Sequence, residues 1–265
     1  MTAATMLLMK KHLTVLTGAS RGMGFAMARQ LLTQGHTVLG ISRTAPEALT
    51  QHAAQSGATL LQWTHDLADS AALGARLERW LQDAQKGPDG NAWAWASVTL
   101  INNAGVLTRI GPFSETDAND LARALRVGLE APMQLTAAFL RATKDWRAQR
   151  KVLNISSGLG RRAMASQAAY CAAKAGLDHF TRCLALDEAL KSNGAKVCAL
   201  APGVIDTDMQ GQLRGADEAA FPDRANFVNL KSGGLLSSPE EAASRVLAYL
   251  ARPDFGAQPV ADIRD

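Results

Sequence analysis

Short apolar runs alternate with longer stretches whose apolar residues recur every three or four positions. Leu13-Thr14-Val15-Leu16-Thr17, His36–Ile41, Thr59-Leu60-Leu61-Gln62-Trp63, Val98-Thr99-Leu100-Ile101, Val152-Leu153-Asn154-Ile155 and Val197-Cys198-Ala199-Leu200 read as six β-strands. Between them, Phe25–Leu32, the Leu73/Leu77/Leu81 series, a stretch of roughly twenty residues through Leu129, Met133, Leu135, Phe139 and Leu140, and an alanine-rich segment running to about Leu190 carry helical spacing. Strands that alternate with helices predict an α/β fold: a doubly wound parallel sheet with helices on both faces, one domain over residues 1–265. Residues 1–10 read as a flexible N-terminus. The stretch 210–237 is irregular and rich in Gly, Asp and Asn, with Phe221, Phe227 and Leu230 as apolar anchors, and is expected to form a lid over a substrate. Gly87–Asn91 reads as a surface loop, with Trp93 and Trp95 packed at its base.

In such a sheet the ligand crevice lies at the carboxyl ends of the strands. The first strand runs into Gly18-Ala19-Ser20-Arg21-Gly22-Met23-Gly24 and then a helix. Strand, glycine turn and helix form a phosphate-binding arrangement, because the turn's backbone and the helix's free N–H groups face an anion. The second strand ends at Ser42-Arg43, where an NAD site places a carboxylate for the ribose hydroxyls. Arg43, with Ser42 and Arg21, suits a 2′-phosphate instead, so the expected cofactor is NADP(H). Asp66-Leu67 follows the third strand near the adenine, although Asp66 competes for a helix-capping role in which Asp69 or Ser70 is better placed. Asn102-Asn103-Ala104-Gly105 and Pro202-Gly203-Val204 turn the chain after the fourth and sixth strands, and Thr207 offers a hydroxyl on the nicotinamide side.

The chemistry is expected at Ser157, Tyr170 and Lys174. On a helix, residues four apart have Cβ atoms about 5–6 Å from each other. An ammonium ~4 Å from the phenol, at an effective dielectric of ~20, is worth roughly 4 kcal/mol, enough to draw a tyrosine from about 10 towards 7. Such a group suits general acid catalysis near neutrality. Ser157, at the end of the fifth strand, places a hydroxyl beside a carbonyl oxygen. A bare Tyr-x-x-x-Lys is also an ordinary amphipathic pair, and it is the serine and the cofactor signals that give it meaning.

Composition narrows the classes. With 47% apolar residues, 20% charged and a net charge of +4, the chain is a soluble globular type. Its basic residues are scattered, so no nucleic-acid footprint appears, and the mild positive charge suits an anionic cofactor. The apolar stretch Thr5–Met9 is too short for a signal core and no run approaches a membrane span, so a cytoplasmic location is expected. Cys171, Cys183 and Cys198 lack metal-ligand spacing and read as buried free thiols, and the five histidines form no paired pattern; no metal and no disulfide are expected.

Taken in order, Thr17-Gly18-x-x-x-Gly22-x-Gly24, Asn102-Asn103-Ala104-Gly105, Ser157, Tyr170-x-x-x-Lys174 and Pro202-Gly203 resemble the short-chain dehydrogenase/reductase family over nearly the whole chain. Tyr170-Cys171-Ala172-x-Lys174-Ala175, Leu184–Glu188 and Asp206-Thr207-Asp208-Met209-Gln210 resemble the sepiapterin reductase and benzil reductase branch. The C-terminus, Phe255 to Asp265, lacks the strand and Gly-Gly close of most of the wider family. The resemblance implies a Rossmann-type fold and reduction of a ketone or vicinal dicarbonyl by NADPH. Tyr170 would donate the proton, Ser157 would hold the carbonyl oxygen, and Lys174 would bind the nicotinamide ribose and lower the tyrosine pKa. It also implies that Asp262 anchors the substrate, and that subunits pair through the small residues Ala172, Ala173, Ala175 and Gly176 as a homodimer or homotetramer. One departure is Gly128, where the family has an asparagine before Leu129. It motivates an alternative, a cofactor-binding sensor with little turnover. A further alternative is an NADP-dependent alcohol dehydrogenase.

Overall fold

The structure is a computed structural model that describes residues 11–85 and 95–265. The expectations for residues 1–10, Gly87–Asn91 and Trp93 lie outside the described residues.

Seven parallel strands form one sheet in the order β3-β2-β1-β4-β5-β6-β7. They are β1 (Lys11–Thr17), β2 (Thr37–Ser42), β3 (Leu60–Thr64), β4 (Trp95–Asn102), β5 (Gln149–Ile155), β6 (Lys196–Ala201) and β7 (Val260–Asp262). Apolar runs become central strands here because both faces are covered. Leu13 and Val15 enter one core layer with Leu73, Leu77 and Phe139, while Leu16 enters the other with Met27, Leu31 and Val246. The helices are α1 (Gly22–Thr33), α2 (Glu47–Ser56), α3 (Ser70–Ala84), α4 (Ala118–Leu125), α5 (Ala131–Thr143), α6 (Ala168–Ala189), α7 (Asp208–Arg214), α8 (Arg224–Ser232) and α9 (Pro239–Ala251). The chain reverses direction across the sheet between β1 and β4, which opens the crevice on that edge.

Four expectations need correction. A seventh strand, β7, pairs Ala199 with Val260 and Ala201 with Asp262, so six strands was one too few. Three residues framed by Pro259 and Ile263 make no apolar run, and only the open edge of β6 makes them a strand. Half of residues 210–237 is helical, in α7 and α8, because Leu213, Phe221 and Phe227 bury against Leu107, Ile110 and Met164 and form a small core of their own. The helix through Leu129 begins earlier, at Ala118, and passes through a π-helical turn, Arg126–Glu130, that contains Gly128. Cys183 is exposed and Cys171 half-buried, and only Cys198 is buried; all three are free thiols. Trp95 packs on the core beside α3 and donates its indole N–H to the Ala84 carbonyl at 3.2 Å, while the loop it was expected to support lies outside the described residues.

Beneath the crevice a buried polar chain locks β4, β5, α5 and α6 together. Asn102 donates to Asn154 at 2.8 Å and to Thr136 at 3.2 Å, and Asn154 donates to the Thr181 hydroxyl at 2.9 Å. Within this polar chain Asn102 Oδ1 alone is left without a partner among the described residues, and the remaining bonds set α6 against β5.

At the opposite edge the rings of His12 and His36 stack with centroids 4.9 Å apart. Burial, and then the neighbouring His12, hold His36 down at about 4. Because its folded pKa lies below the unfolded value, the stability tied to neutral His36 is complete above about 6.5 and is lost as pH falls towards about 4. Urea midpoints are therefore expected to fall over that interval, and more shallowly in His36→Leu. Equal slopes in the two proteins would refute the assignment.

Candidate active site

The candidate catalytic, cofactor-binding and substrate-binding residues all line one cleft of about 1170 Å³ at the carboxyl edge of the sheet, from Gly18 and Arg43 to Tyr170 and Asp262. The glycine turn fits there for steric reasons. Gly18 has φ +72°, and a Cβ on Gly24 would lie 2.1 Å from the Gly18 carbonyl oxygen. The turn closes only without a side chain at 24, which leaves backbone and the N-terminus of α1 facing the cleft. Thr17 pins the neighbouring turn in place: its hydroxyl accepts from the backbone N–H of Asn103 at 3.0 Å and of Ala104 at 3.2 Å, while the Asn103 amide donates to Thr17 O at 3.0 Å. A backbone-lined cradle at a helix N-terminus with arginines beside it fits a dinucleotide.

At the outer end of the cleft, Arg43 is exposed and Ser42 donates to Thr44 O at 2.8 Å. Asp66 accepts from the Ala68 N–H at 3.0 Å and from Arg123 at 2.9 Å, contacts that hold its carboxyl below the usual range, the backbone bond most strongly. Asp66 thus stabilises the turn before α3, whereas Asp69, at the N-cap position, makes no side-chain bond there. Arg21 reaches across to Asp208 at the start of α7, at 2.9 Å.

At the inner end, Ser157 sits just past β5 and its oxygen accepts from Leu159 N–H at 3.1 Å. Tyr170 lies one turn before Lys174 on α6, with the ammonium 5.7 Å from the phenol ring centre. Lys174 is 4% exposed and donates to the Ile155 carbonyl at 2.7 Å. The expected fall of the tyrosine towards 7 does not occur. Burial pushes its phenol up to about 12, only partly opposed by a hydrogen bond to Ser157, and burial also lowers Lys174 to about 8. The ammonium is itself desolvated and committed to a carbonyl, so the cost of burying a phenolate outweighs its attraction.

Gly128 has a packing reason. A Cβ there would meet the Ala173 Cβ at 3.1 Å, so glycine lets the π-helical turn approach α6 one residue before Lys174. Among the small residues of α6, Ala173 and Gly176 pack against Gly128 and Leu129 of the same chain, leaving Ala172 and Ala175 exposed. Asp262, near the end of β7, is 7% exposed and is gripped by Arg264, whose Nε donates at 2.7 Å and Nη2 at 2.6 Å; this pairing holds its carboxyl low.

Some lining residues carry no local signal in the sequence. Arg123 reaches Asp66 from 57 positions away, and Leu107, Met164 and Leu213 join Phe227, an anchor the sequence did suggest, in an apolar wall. Ser166, four residues before Tyr170, holds φ +62° and donates to the Ala220 carbonyl at 2.6 Å, which ties the loop before α6 to the segment between α7 and α8. Strain in a non-glycine residue at such a place is characteristic of functional sites. Among the described residues, no cluster has metal-binding geometry and no helix is long and apolar enough to cross a membrane.

Comparison with known proteins agrees with this geometry. The family model described as short chain dehydrogenase matches residues 12–218. A benzil reductase ((S)-benzoin forming) from Bacillus cereus is 35% identical over 241 residues, covering 91% of this chain and 94% of the relative. The crystal structure of a short-chain dehydrogenase/reductase from Burkholderia vietnamiensis is 35% identical, with a TM-score of 0.62 and coverage of 96% and 97%. A metagenomic short-chain oxidoreductase in complex with NADP is 27% identical, with a TM-score of 0.67 and coverage of 91% and 90%.

Proposed function

Because the chain belongs to the short-chain dehydrogenase family, and is therefore an oxidoreductase using a nicotinamide cofactor, we propose that it is an NADPH-dependent reductase of ketones and vicinal dicarbonyls. The observation that carries the reading is the meeting of Ser157, Tyr170 and Lys174 in the same cleft as the glycine turn and Arg43. The benzil reductase relative supports a dicarbonyl substrate, and the apolar wall of Leu107, Met164, Leu213 and Phe227 suits aromatic or aliphatic substituents.

The cofactor supplies hydride equivalents when bound. Ser157 donates a hydrogen bond to the carbonyl oxygen and orients it. Tyr170 then donates its phenolic proton to that oxygen as negative charge develops there. A phenol held near 12 is fully protonated at neutral pH, and an alkoxide is more basic than any phenolate, so the transfer runs downhill. That protonation state favours reduction over alcohol oxidation, which would need Tyr170 as a base. Lys174 carries the positive charge beside the phenol and binds the nicotinamide ribose. The Ser42 hydroxyl and the Arg43 guanidinium take the 2′-phosphate, and Thr207 faces the nicotinamide. In this reading α7 and α8 form the lid, and Asp262 anchors a donor group of a sepiapterin-like substrate once Arg264 yields its place. The enzyme acts in the cytoplasm as a homodimer or homotetramer, with Ala172 and Ala175 on the shared face; a monomer by light scattering would contradict that assembly.

NADPH oxidation followed at 340 nm with benzil, butane-2,3-dione and sepiapterin, and with NADH in parallel, tests the proposal. Turnover with NADPH and a dicarbonyl is expected; cofactor binding without turnover on any of the three would overturn it. Arg43→Glu is expected to cut the preference for NADPH over NADH by roughly 10–100-fold, the worth of one charge-assisted contact. An unchanged ratio would remove Arg43 from the phosphate site.

A further inference from the structure

Asp178 stands one helical turn beyond Lys174, so Tyr170, Lys174 and Asp178 run down one face of α6 at steps of four. Nothing in the chemistry described above uses it, yet it is 1% exposed and sits where several elements meet. One carboxylate oxygen accepts the hydroxyl of Ser156, the residue before Ser157. The other accepts Arg161 Nε at 3.2 Å, from the turn that follows Ser157. Arg161 in turn donates to the Ala261 carbonyl at 3.1 Å, beside Asp262 on β7. The turn is close-fitting as well: a Cβ on Gly160 would lie 3.0 Å from the Asp178 carboxylate and 3.0 Å from the Lys174 carbonyl oxygen.

We propose that Asp178 is a positioning residue for the reaction: it clamps the serine turn to the tyrosine helix through Ser156 and Arg161, and is the buried counter-charge for Lys174. A carboxylate is costly to bury and is retained where its partners are fixed by it. Here the partners flank Ser157 on both sides, so the clamp sets the Ser157–Tyr170 separation. The inference rests on the reductase reading.

The groups that face this part of α6 are few. Tyr170 and Asp178 lie on the helix itself, and Arg161 faces it from the turn after β5. Cys198 on β6 is within the field of Asp178 and Arg161. The pair formed by Asp262, at the end of β7, and Arg264, just past it, lies behind Arg161. The Ile155 carbonyl and Gly105 complete the surroundings of the ammonium without charge. Asp178 is thus the carboxylate that opposes the desolvation of Lys174.

The test uses Asp178→Asn, which keeps an acceptor for Ser156 but loses the charge, and Arg161→Gln, which keeps the charge but loosens the clamp. In Asp178→Asn, kcat is expected to fall at least about tenfold with the KM for NADPH changed much less. The alkaline limb of its pH–rate profile should move to lower pH by about 1 unit, since Lys174 loses its counter-charge. In Arg161→Gln, kcat should fall while that limb does not move to lower pH. An unshifted limb in Asp178→Asn, with activity falling only in step with melting temperature, would overturn the proposal. If Asp178→Asn does not fold, Arg161→Gln and Ser156→Ala decide, and full activity in both overturns it. Lys174 titrated by NMR in selectively labelled protein separates the two readings. Absence of wild-type turnover would defeat the reductase reading, whereas an NMR midpoint that fails to drop in Asp178→Asn would defeat this one.

Discussion

Replacement of Tyr170 by phenylalanine is expected to lower kcat for dicarbonyl reduction by about 10²–10⁴-fold, the usual worth of a positioned general acid. The change removes one oxygen and leaves the ring. It breaks the hydrogen bond with Ser157, a loss of about 1 kcal/mol in stability, so the protein folds and the deficit falls on the chemical step. NADPH affinity, read by cofactor fluorescence, should change far less than kcat. The pH dependence sharpens the test. With the phenol near 12 and Lys174 near 8, loss of wild-type activity on the alkaline side should begin near 8, from deprotonation of the lysine. Wild-type activity in Tyr170→Phe would end the assignment of the proton donor.

The second large effect is steric. In Gly24→Ala the new carbon would sit 2.1 Å from the Gly18 carbonyl oxygen and 2.5 Å from the Asn103 amide nitrogen. Neither neighbour is free to withdraw, since Gly18 belongs to the same turn and Asn103 is bonded to Thr17 O. The turn must open. Overpacking of this kind costs about 1–3 kcal/mol of stability. Displacing the backbone donors that face the pyrophosphate should weaken NADPH binding by roughly 100-fold, equivalent to about 3 kcal/mol. Calorimetric titration with NADPH reads the second effect and thermal melting the first. Wild-type affinity in Gly24→Ala would mean that the cofactor's phosphates lie elsewhere.

Together the two variants separate the halves of the cleft. Tyr170→Phe spares the cradle and loses the proton; Gly24→Ala keeps the proton donor and loses the cradle. Gly128 shows why neither half should be judged from side-chain identity alone. Read as a missing asparagine it suggested a protein without useful turnover. In the fold, a Cβ at that position would meet Ala173 at 3.1 Å, so the glycine also serves the packing against α6.

What the sequence determined by itself is the sheet, its ligand edge and the chemical groups along it. Runs such as Leu13–Thr17 and Val152–Ile155 are apolar on both faces, and only a strand covered on both sides satisfies that pattern. Each turn residue then follows a strand, so Gly18, Asn103, Ser157 and Pro202 had to open on one edge whatever the details. Tertiary structure decided what depends on contacts between distant segments. Val260–Asp262 is a strand because β6 has an open edge, and 210–237 folds into two short helices because Phe221 and Phe227 find Met164 and Leu107. The electrostatics reversed for the same reason: spacing along α6 places an ammonium beside a phenol, but the sign of the net effect is set by burial, which no local pattern records. Burial raised Tyr170, lowered Lys174, and turned Asp178, 22 residues from Ser156, into the group on which both sides of the site are joined.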